Sequence, residues 1–164
     1  MSEQWLMERV PSFRELPAQD RGEIVAFAFL WSLFEARIMD NSATAQTIRL
    51  KVDEWQAEGT LEADQYDPDL SYFCNRYFAD GSPTHHFGNL HLRARDHPGL
   101  VRQVIEGANT DPRDRLLALL MIVWRIRNNL FHGEKWAYGL RDQSGNFHHA
   151  NAVLMRVLTH HAEM

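Results

Sequence analysis

Residues 111–133 read DPRDRLLALLMIVWRIRNNLFHG, and this stretch decides the fold. It opens with Asp111, which can cap a helix, and with Pro112 in the first turn, where a missing N–H costs nothing. Its middle is apolar on nearly every face, which is typical of a helix buried on all sides. Gly133 supplies a stop signal. The pattern therefore predicts a long buried helix over 112–132 that ends in a polar cluster.

Hydrophobic spacing and turn signals predict further helices on both sides of this one. In chain order they run from Gln19 or Asp20 to about Asp40, from a cap at Asn41 or Ser42 to about Glu58, from Pro68 to Phe78, from Leu100 to Glu106, and onward from a cap at Asn146. Residues 84–93 are either a short helix or irregular, and Asp80-Gly81-Ser82-Pro83 is a turn. The residues expected to face inward are Ile24, Phe27, Ala28, Trp31, Phe34 and Ile38 in the first of these helices, Ala45, Ile48, Val52 and Trp55 in the second, and Ala150, Val153, Leu154, Val157 and Leu158 in the last.

These elements predict an all-α fold, a helical bundle of about five main helices, because no segment alternates like a strand for long. Residues 1–18 are expected to form an N-terminal arm, and residues 19–164 a single helical domain. The length of 164 residues, with 45% apolar and 24% charged residues, is ordinary for one folded domain.

The first long helix carries more apolar surface than one core face needs, because Val25, Phe29, Leu30 and Leu33 widen its buried stripe. Two interpretations remain open: the extra surface covers a second subunit, or this is the central helix of a monomeric bundle. Glu35 lies inside the same apolar run. It is expected either at a solvated edge or beside a partner such as Arg127.

Charge and targeting signals restrict the class of protein. Residues 1–70 hold 6 Lys/Arg and 14 Asp/Glu, whereas residues 71–164 hold 11 Lys/Arg and 8 Asp/Glu. The overall charge is −5, but the second part of the chain, which includes the polar cluster, is basic. A local phosphate site is compatible with this distribution, whereas a general nucleic-acid coat is not. The lone Cys74, the lack of a signal peptide and the lack of an apolar run of membrane-spanning length predict a cytoplasmic protein with no membrane association.

The polar cluster combines three groups that suit one reaction. Arg127, Asn128 and His132 offer a guanidinium that binds phosphate oxygens, an amide that orients a neighbour, and an imidazole that can move a proton near neutral pH. On an ideal helix Asn128 and His132 lie about 40° apart, but Arg127 and His132 lie about 140° apart. Arg127 can therefore share the site only through its long side chain or a loosened last turn. The plainer interpretation is that His132 is a favourable cap at the negative end of the helix dipole.

The run from Arg127 to Gly133, RNNLFHG, resembles the signature of the HEPN superfamily: an Arg, a polar residue, a short gap and a His near the end of a long helix. Glu35 resembles the acidic residue that some branches carry in an early helix. The resemblance implies a metal-independent endoribonuclease that uses no cofactor and acts on RNA as a homodimer with a composite site. His132 would remove the proton from a ribose 2′-hydroxyl, Arg127 would stabilise the phosphoryl charge, and Asn128 would orient His132 or the phosphate. Glu35 and Asn129 would support them.

The resemblance leaves the biological role open. A toxin–antitoxin, defence or stress-response setting is expected, with a separate antitoxin or regulatory partner to restrain the enzyme. Two other interpretations remain: a non-catalytic HEPN domain that binds RNA, a nucleotide or a protein, and a helical interaction module unrelated to the family.

Other candidate residues carry weaker signals. Arg125, Lys135 and Arg141 are predicted to contact phosphate, and Trp136 and Tyr138 to stack on a base, although they equally suit solvated charges and core aromatics. The histidine pairs 85–86, 148–149 and 160–161 lack the spacing of a zinc site, so no metal is expected. Cys74 is expected to be a small core residue.

Overall fold

The computed structural model describes residues 1–132, 140 and 142–162. In these residues the helices are α1 Ser2–Arg9, α2 Pro11–Arg14, α3 Ala18–Arg37, α4 Ala45–Glu58, α5 Asp67–Tyr77, α6 His85–Gly88, α7 Pro98–Ile105, α8 Pro112–Phe131 and α9 Ser144–His161, with 3₁₀ turns at Ala63–Tyr66 and Ala94–Asp96. Five of the α-helices, namely α3, α4, α5, α8 and α9, have 11 residues or more. The predicted all-α bundle of about five main helices is confirmed.

Helix α8 lies at the centre of the bundle. It packs against α4 and α7, while α3 packs against α9. Every residue from Leu116 to Val123 is buried, as expected for a helix that is apolar all round. Asp111 caps it as predicted, because its side chain accepts a hydrogen bond from the backbone N–H of Asp114 at 3.0 Å.

The predicted inward faces agree with the structure, except that Ile24 and Ala28 on α3 are only partly buried. On α3, Phe27, Trp31 and Phe34 are buried and the ring of Phe27 meets that of Phe147 on α9 edge to face, with centroids 5.3 Å apart. The four predicted residues of α4 and the five of α9 are all buried. By contrast, Val25 and Phe29 on α3 are 52% and 74% exposed, so the additional apolar surface of this helix faces outward.

Two predicted helix caps were wrong. Helix α4 is capped by Thr44, not by Asn41 or Ser42, because Asp40 and Asn41 both have positive φ and form a turn first. The backbone N–H of Thr47 donates to the Thr44 hydroxyl at 3.1 Å, and the Thr47 hydroxyl accepts from the Thr44 N–H at 2.8 Å.

The second wrong cap is that of α9. This helix begins at Ser144 with Gln143 at the cap position, so Asn146 lies inside the first turn. Asn146 is buried, donates to the Gln143 side-chain oxygen at 2.8 Å and accepts from the Tyr72 hydroxyl at 3.2 Å. Its polar side chain therefore joins α9 to α5 and does not cap the helix.

Smaller differences concern the ends of other elements. The first long helix begins directly after Pro17 and ends at Arg37, and the short helix before α8 begins at Pro98. The predicted turn after α5 is a small hairpin, in which strands β1 Phe78–Ala79 and β2 Ser82–Pro83 pair antiparallel. In the predicted N-terminal arm, α1 buries no residue, whereas Phe13 and Leu16 are buried.

Candidate active site

The candidate site forms where α8 ends. The last helical residue is Phe131, and His132 follows with φ −91° and ψ 10°, outside the helical conformation. Its backbone N–H still donates to the Asn128 carbonyl at 2.9 Å. The last turn is thus loosened at His132, the residue whose side chain an ideal helix would direct away from Arg127.

Arg127, Asn128 and His132 line one cavity of about 590 Å³. The other described residues of its wall are Trp124 and Arg125 from the same helix, Thr44 and Ala45 from the start of α4, and residues 93–96. His132 is exposed, Arg127 is partly buried and Asn128 is 7% exposed. The structure therefore brings the three predicted catalytic residues together, with the imidazole at the solvent side and the amide at the protein side.

Aromatic rings hold the Arg127 guanidinium in place. Its Cζ lies 5.9 Å from the ring centroid of Trp31, 5.8 Å from that of Trp124 and 5.1 Å from that of Phe131. Arg127 Nη1 donates to Asn128 Oδ1 at 3.1 Å. Contacts of this kind favour a cation without neutralising it.

The Arg127 charge has no carboxylate partner among the residues that the structure describes, and its buried Nε has no hydrogen-bond partner there. Glu35, the partner considered from the sequence, is bound elsewhere. Its Oε2 accepts from Trp31 Nε1 at 3.3 Å and its Oε1 from the backbone N–H of Ala43 at 3.4 Å. Glu35 therefore supports Trp31, one of the rings beside Arg127, and leaves the guanidinium able to bind an anion.

Arg125 and Asn129, on another face of α8, hold a loop in place. Arg125 is 3% exposed; its Nη1 lies 3.5 Å from Asp96 Oδ2, and its Nη2 donates to Asn129 Oδ1 at 3.3 Å. Arg125 Nε donates to the Leu90 carbonyl at 3.1 Å, and Asn129 Nδ2 donates to the carbonyls of Asn89 and Leu90, both at 3.2 Å. The position of Arg125 does not support the predicted contact with substrate phosphate, because its guanidinium is bound within the protein. Asn129 supports the site by fixing this loop.

The fold adds residues that sequence reasoning missed. Arg93 and Arg95 lie on the loop that Arg125 holds, are exposed, and line the same cavity as His132. His91 and His97, which flank this part of the loop, both have positive φ, at 53° and 52°. The only signal in the sequence was the Arg-Ala-Arg-Asp run in the basic half of the chain, and nothing there placed it beside α8. The predicted residues Gly133, Lys135, Trp136, Tyr138 and Arg141 lie outside the described residues.

The histidines outside the site make ordinary structural contacts. His149 Nδ1 lies 2.8 Å from an oxygen of the buried Asp69, and His161 stacks on Trp55 with centroids 3.9 Å apart. Burial lowers the pKa of His161 to about 4, with the charges of His160 and Lys51 acting in the same direction. Within the part of the chain that the structure describes, no three His, Cys, Asp or Glu side chains are grouped so as to hold a metal ion.

Cys74 is partly buried, and burial raises the pKa of its thiol. No helix in the described ranges combines the length and hydropathy needed to cross a membrane. Comparison with known proteins gives no match to a family model, to a curated protein or to a solved structure.

Proposed function

We propose that this chain is a HEPN-type, metal-independent endoribonuclease that leaves 2′,3′-cyclic phosphate and 5′-hydroxyl ends. The observation that carries the proposal is the shared cavity of Arg127, Asn128 and His132, in which the guanidinium has no carboxylate partner among the described residues. A cation fixed by aromatic rings and an exposed imidazole are the two groups that transfer of a phosphoryl group to a ribose 2′-oxygen needs.

In the proposed reaction, His132 accepts the proton of a ribose 2′-hydroxyl and the freed oxygen attacks the adjacent phosphorus. The bond from phosphorus to the 5′-oxygen of the next nucleotide breaks, and that oxygen takes up a proton. Arg127 stabilises the charge that develops on the phosphoryl oxygens. Asn128 positions Arg127, because its Oδ1 accepts the 3.1 Å hydrogen bond, while its amide N–H groups can donate to the phosphate.

A homodimer completes the proposed mechanism, because one imidazole does not readily act as base and acid in the same step. His132 of the partner subunit would protonate the leaving 5′-oxygen. The apolar surface on α3 supports this part of the proposal: Val25, Phe29 and Leu33 are spaced four residues apart and are 52%, 74% and 37% exposed. Phe131, 55% exposed, adds an apolar ring beside Arg127 itself.

The first test compares His132→Ala and Arg127→Ala with wild type on a labelled RNA, with end mapping. We expect the His132→Ala variant to lose about 10²–10⁴-fold in rate, the range for a general base, and the Arg127→Ala variant about 10²–10³-fold. His85→Ala, which removes an exposed histidine that does not line this cavity, is the matched control and should retain full activity. Excess chelator should leave the rate unchanged, and activity that disappears in chelator and returns with metal would contradict the proposal.

The second test addresses the dimer. Phe29→Glu places a charge in the exposed apolar stripe of α3, so we expect a monomer by light scattering and loss of cleavage with unchanged helical content. Glu58→Gln changes charge on an exposed residue of α4 and serves as the control. A Phe29→Glu monomer that cleaves at the wild-type rate would refute the composite site.

We further propose that the enzyme acts in a toxin–antitoxin, defence or stress-response setting with a separate restraining partner, since an uncontrolled ribonuclease harms its own cell. Growth arrest on overexpression that His132→Ala relieves would support this. If wild type binds RNA but leaves it at full length with no cyclic-phosphate ends, the non-catalytic alternative, a HEPN domain that only binds, replaces the enzyme.

A further inference from the structure

A second cavity continues the first one along the surface. It has a volume of about 550 Å³ and is lined by Gln46, Arg49 and His97 together with Thr44, Ala45 and Arg95, which it shares with the candidate site. We call the two cavities together the basic groove.

The charge of the basic groove is opposite to that of the whole chain. Among the described residues that line it, five are arginines, Arg49, Arg93, Arg95, Arg125 and Arg127, and one is acidic, Asp96. Asp96 is buried against Arg125, so the two charges offset each other and four arginines remain. The chain as a whole carries −5. Such a local excess of positive charge favours the binding of a polyanion at this surface.

The arginines of the groove differ in how available they are. Arg93 and Arg95 are exposed and form no ion pair with any residue that the structure describes. Arg49 is bonded to Asp53 at 3.2 Å, but Asp53 also accepts two hydrogen bonds from Arg113, at 2.9 and 2.7 Å. The Asp53 carboxylate is thus shared between two guanidinium groups. Among the described residues of the groove outside the candidate site, Arg93 and Arg95 are the cations without an ion-pair partner.

The loop that carries Arg93 and Arg95 is fixed in position. Asp96, the residue after Arg95, bonds to Arg125 of α8, and its Oδ2 also accepts from the backbone N–H of Arg93 at 2.8 Å. The two arginines are therefore held by the same helix that carries Arg127 and His132. A surface arginine that is only solvated does not need its loop to be fixed in this way. A binding residue that must keep a constant distance from the reacting groups does.

We propose that the basic groove binds the phosphates that flank the cleaved one in single-stranded RNA, with Arg95 as the main contact and Arg93 beside it. This rests on the proposed function, because the scissile phosphate is taken to lie at Arg127 and His132. A single strand fits better than a duplex, since its bases can unstack and turn toward Trp124 in the cavity wall, and its 2′-oxygen is free to align for attack.

The test measures binding of a short single-stranded RNA in which every ribose carries a 2′-O-methyl group, so that no cleavage occurs. Its Kd is determined between about 50 and 200 mM salt, where each phosphate contact on a single strand contributes about 0.7 to the slope of log K against log salt. Arg95→Ala should lower the slope by about 0.7 and the Arg93→Ala, Arg95→Ala double variant by about 1.4. At low salt, we expect the Kd of Arg95→Ala to rise about three- to tenfold, between the effects of an exposed ion pair and a charge-assisted hydrogen bond.

Three controls make the result specific. Arg14→Ala removes an exposed arginine of α2 that lies outside the groove, and its slope should match wild type. Arg95→Lys keeps the charge and should recover most of the slope. The same strand annealed into a duplex should bind more weakly than the single strand.

The outcomes separate this inference from the proposed function. If Arg95→Ala leaves both slope and Kd unchanged while His132→Ala abolishes cleavage, the subsite is wrong and the ribonuclease stands. If the slopes change as expected but wild type never cuts RNA, the subsite stands and the ribonuclease is wrong. Equal binding of duplex and single strand would overturn the assignment to single-stranded RNA.

Discussion

Replacing Arg125 with Met should destabilise the fold and leave the chemistry of the site in place. The Arg125 and Asp96 side chains are 4% and 5% exposed, so their ion pair is almost fully desolvated. Among the contacts of Arg125 with described residues, Arg125→Met removes that pair and the hydrogen bonds to Leu90 and Asn129, and it leaves the Asp96 carboxylate buried. Breaking a buried pair by removing one partner costs about 3–5 kcal/mol. For a chain of this size, a loss of about 3 kcal/mol corresponds to a fall in Tm of about 6–12 °C.

The assay is thermal and urea unfolding of the variant, followed by RNA binding at a temperature where it remains folded. Adding Asp96→Asn to Arg125→Met removes the buried carboxylate charge that has lost its partner. The double variant should therefore recover about 1–2 kcal/mol of the lost free energy of unfolding. Arg14→Met, which changes an exposed arginine in the same way, should alter the Tm by less than about 2 °C. An Arg125→Met variant with the same Tm and urea midpoint as wild type would refute the structural role of Arg125.

Two further predictions concern the body of the fold. A Cβ added at Gly145 would lie 2.3 Å from the Tyr72 hydroxyl, so Gly145→Ala should lower the free energy of unfolding by about 1–3 kcal/mol in urea titrations; an unchanged midpoint would contradict the tight α5–α9 contact. His161, whose pKa burial lowers to about 4, binds a proton in the unfolded chain first as pH falls below about 6.5. The free energy of unfolding therefore keeps its full value above pH 6.5 as far as His161 is concerned. Between about pH 6.5 and 4 it falls by about 1 kcal/mol, a figure that allows for solvent screening of a partly exposed ring. In His161→Phe, which keeps a ring against Trp55, that part of the pH dependence should disappear; an identical pH profile for both proteins would show that the histidine does not cause it.

Local signals in the sequence were sufficient for α8. Asp111 and Pro112 gave its start and an unbroken apolar run gave its burial, because each of these depends on the helix alone. The spacing of apolar residues likewise predicted which faces of α3, α4 and α9 are buried. These features could be predicted because they need no knowledge of which elements become neighbours.

Features that depend on distant neighbours could not be predicted. A phosphate contact was predicted for Arg127 and considered for Arg125, yet Arg125 binds Asp96 from a loop about 30 residues earlier in the chain, while Arg127 lines the cavity beside His132. Arg95 belongs to the candidate site only because that loop returns to α8. Thr44 replaced the expected caps for a related reason: several polar residues in a row can cap a helix, and the backbone conformation of Asp40 and Asn41 decides among them.

The conformation of the loop between His91 and His97 affects the entropy change that would accompany binding of an RNA strand there. Both flanking residues have positive φ, and the buried Asp96 and Arg125 pair holds the segment between them, so its backbone is ordered before a ligand arrives. The entropy loss of ordering that segment belongs to folding and not to association. Arg93 and Arg95 would thus offer an RNA strand two cations in fixed positions. Release of counterions from the RNA would favour binding, and little of that gain would be lost in ordering the loop.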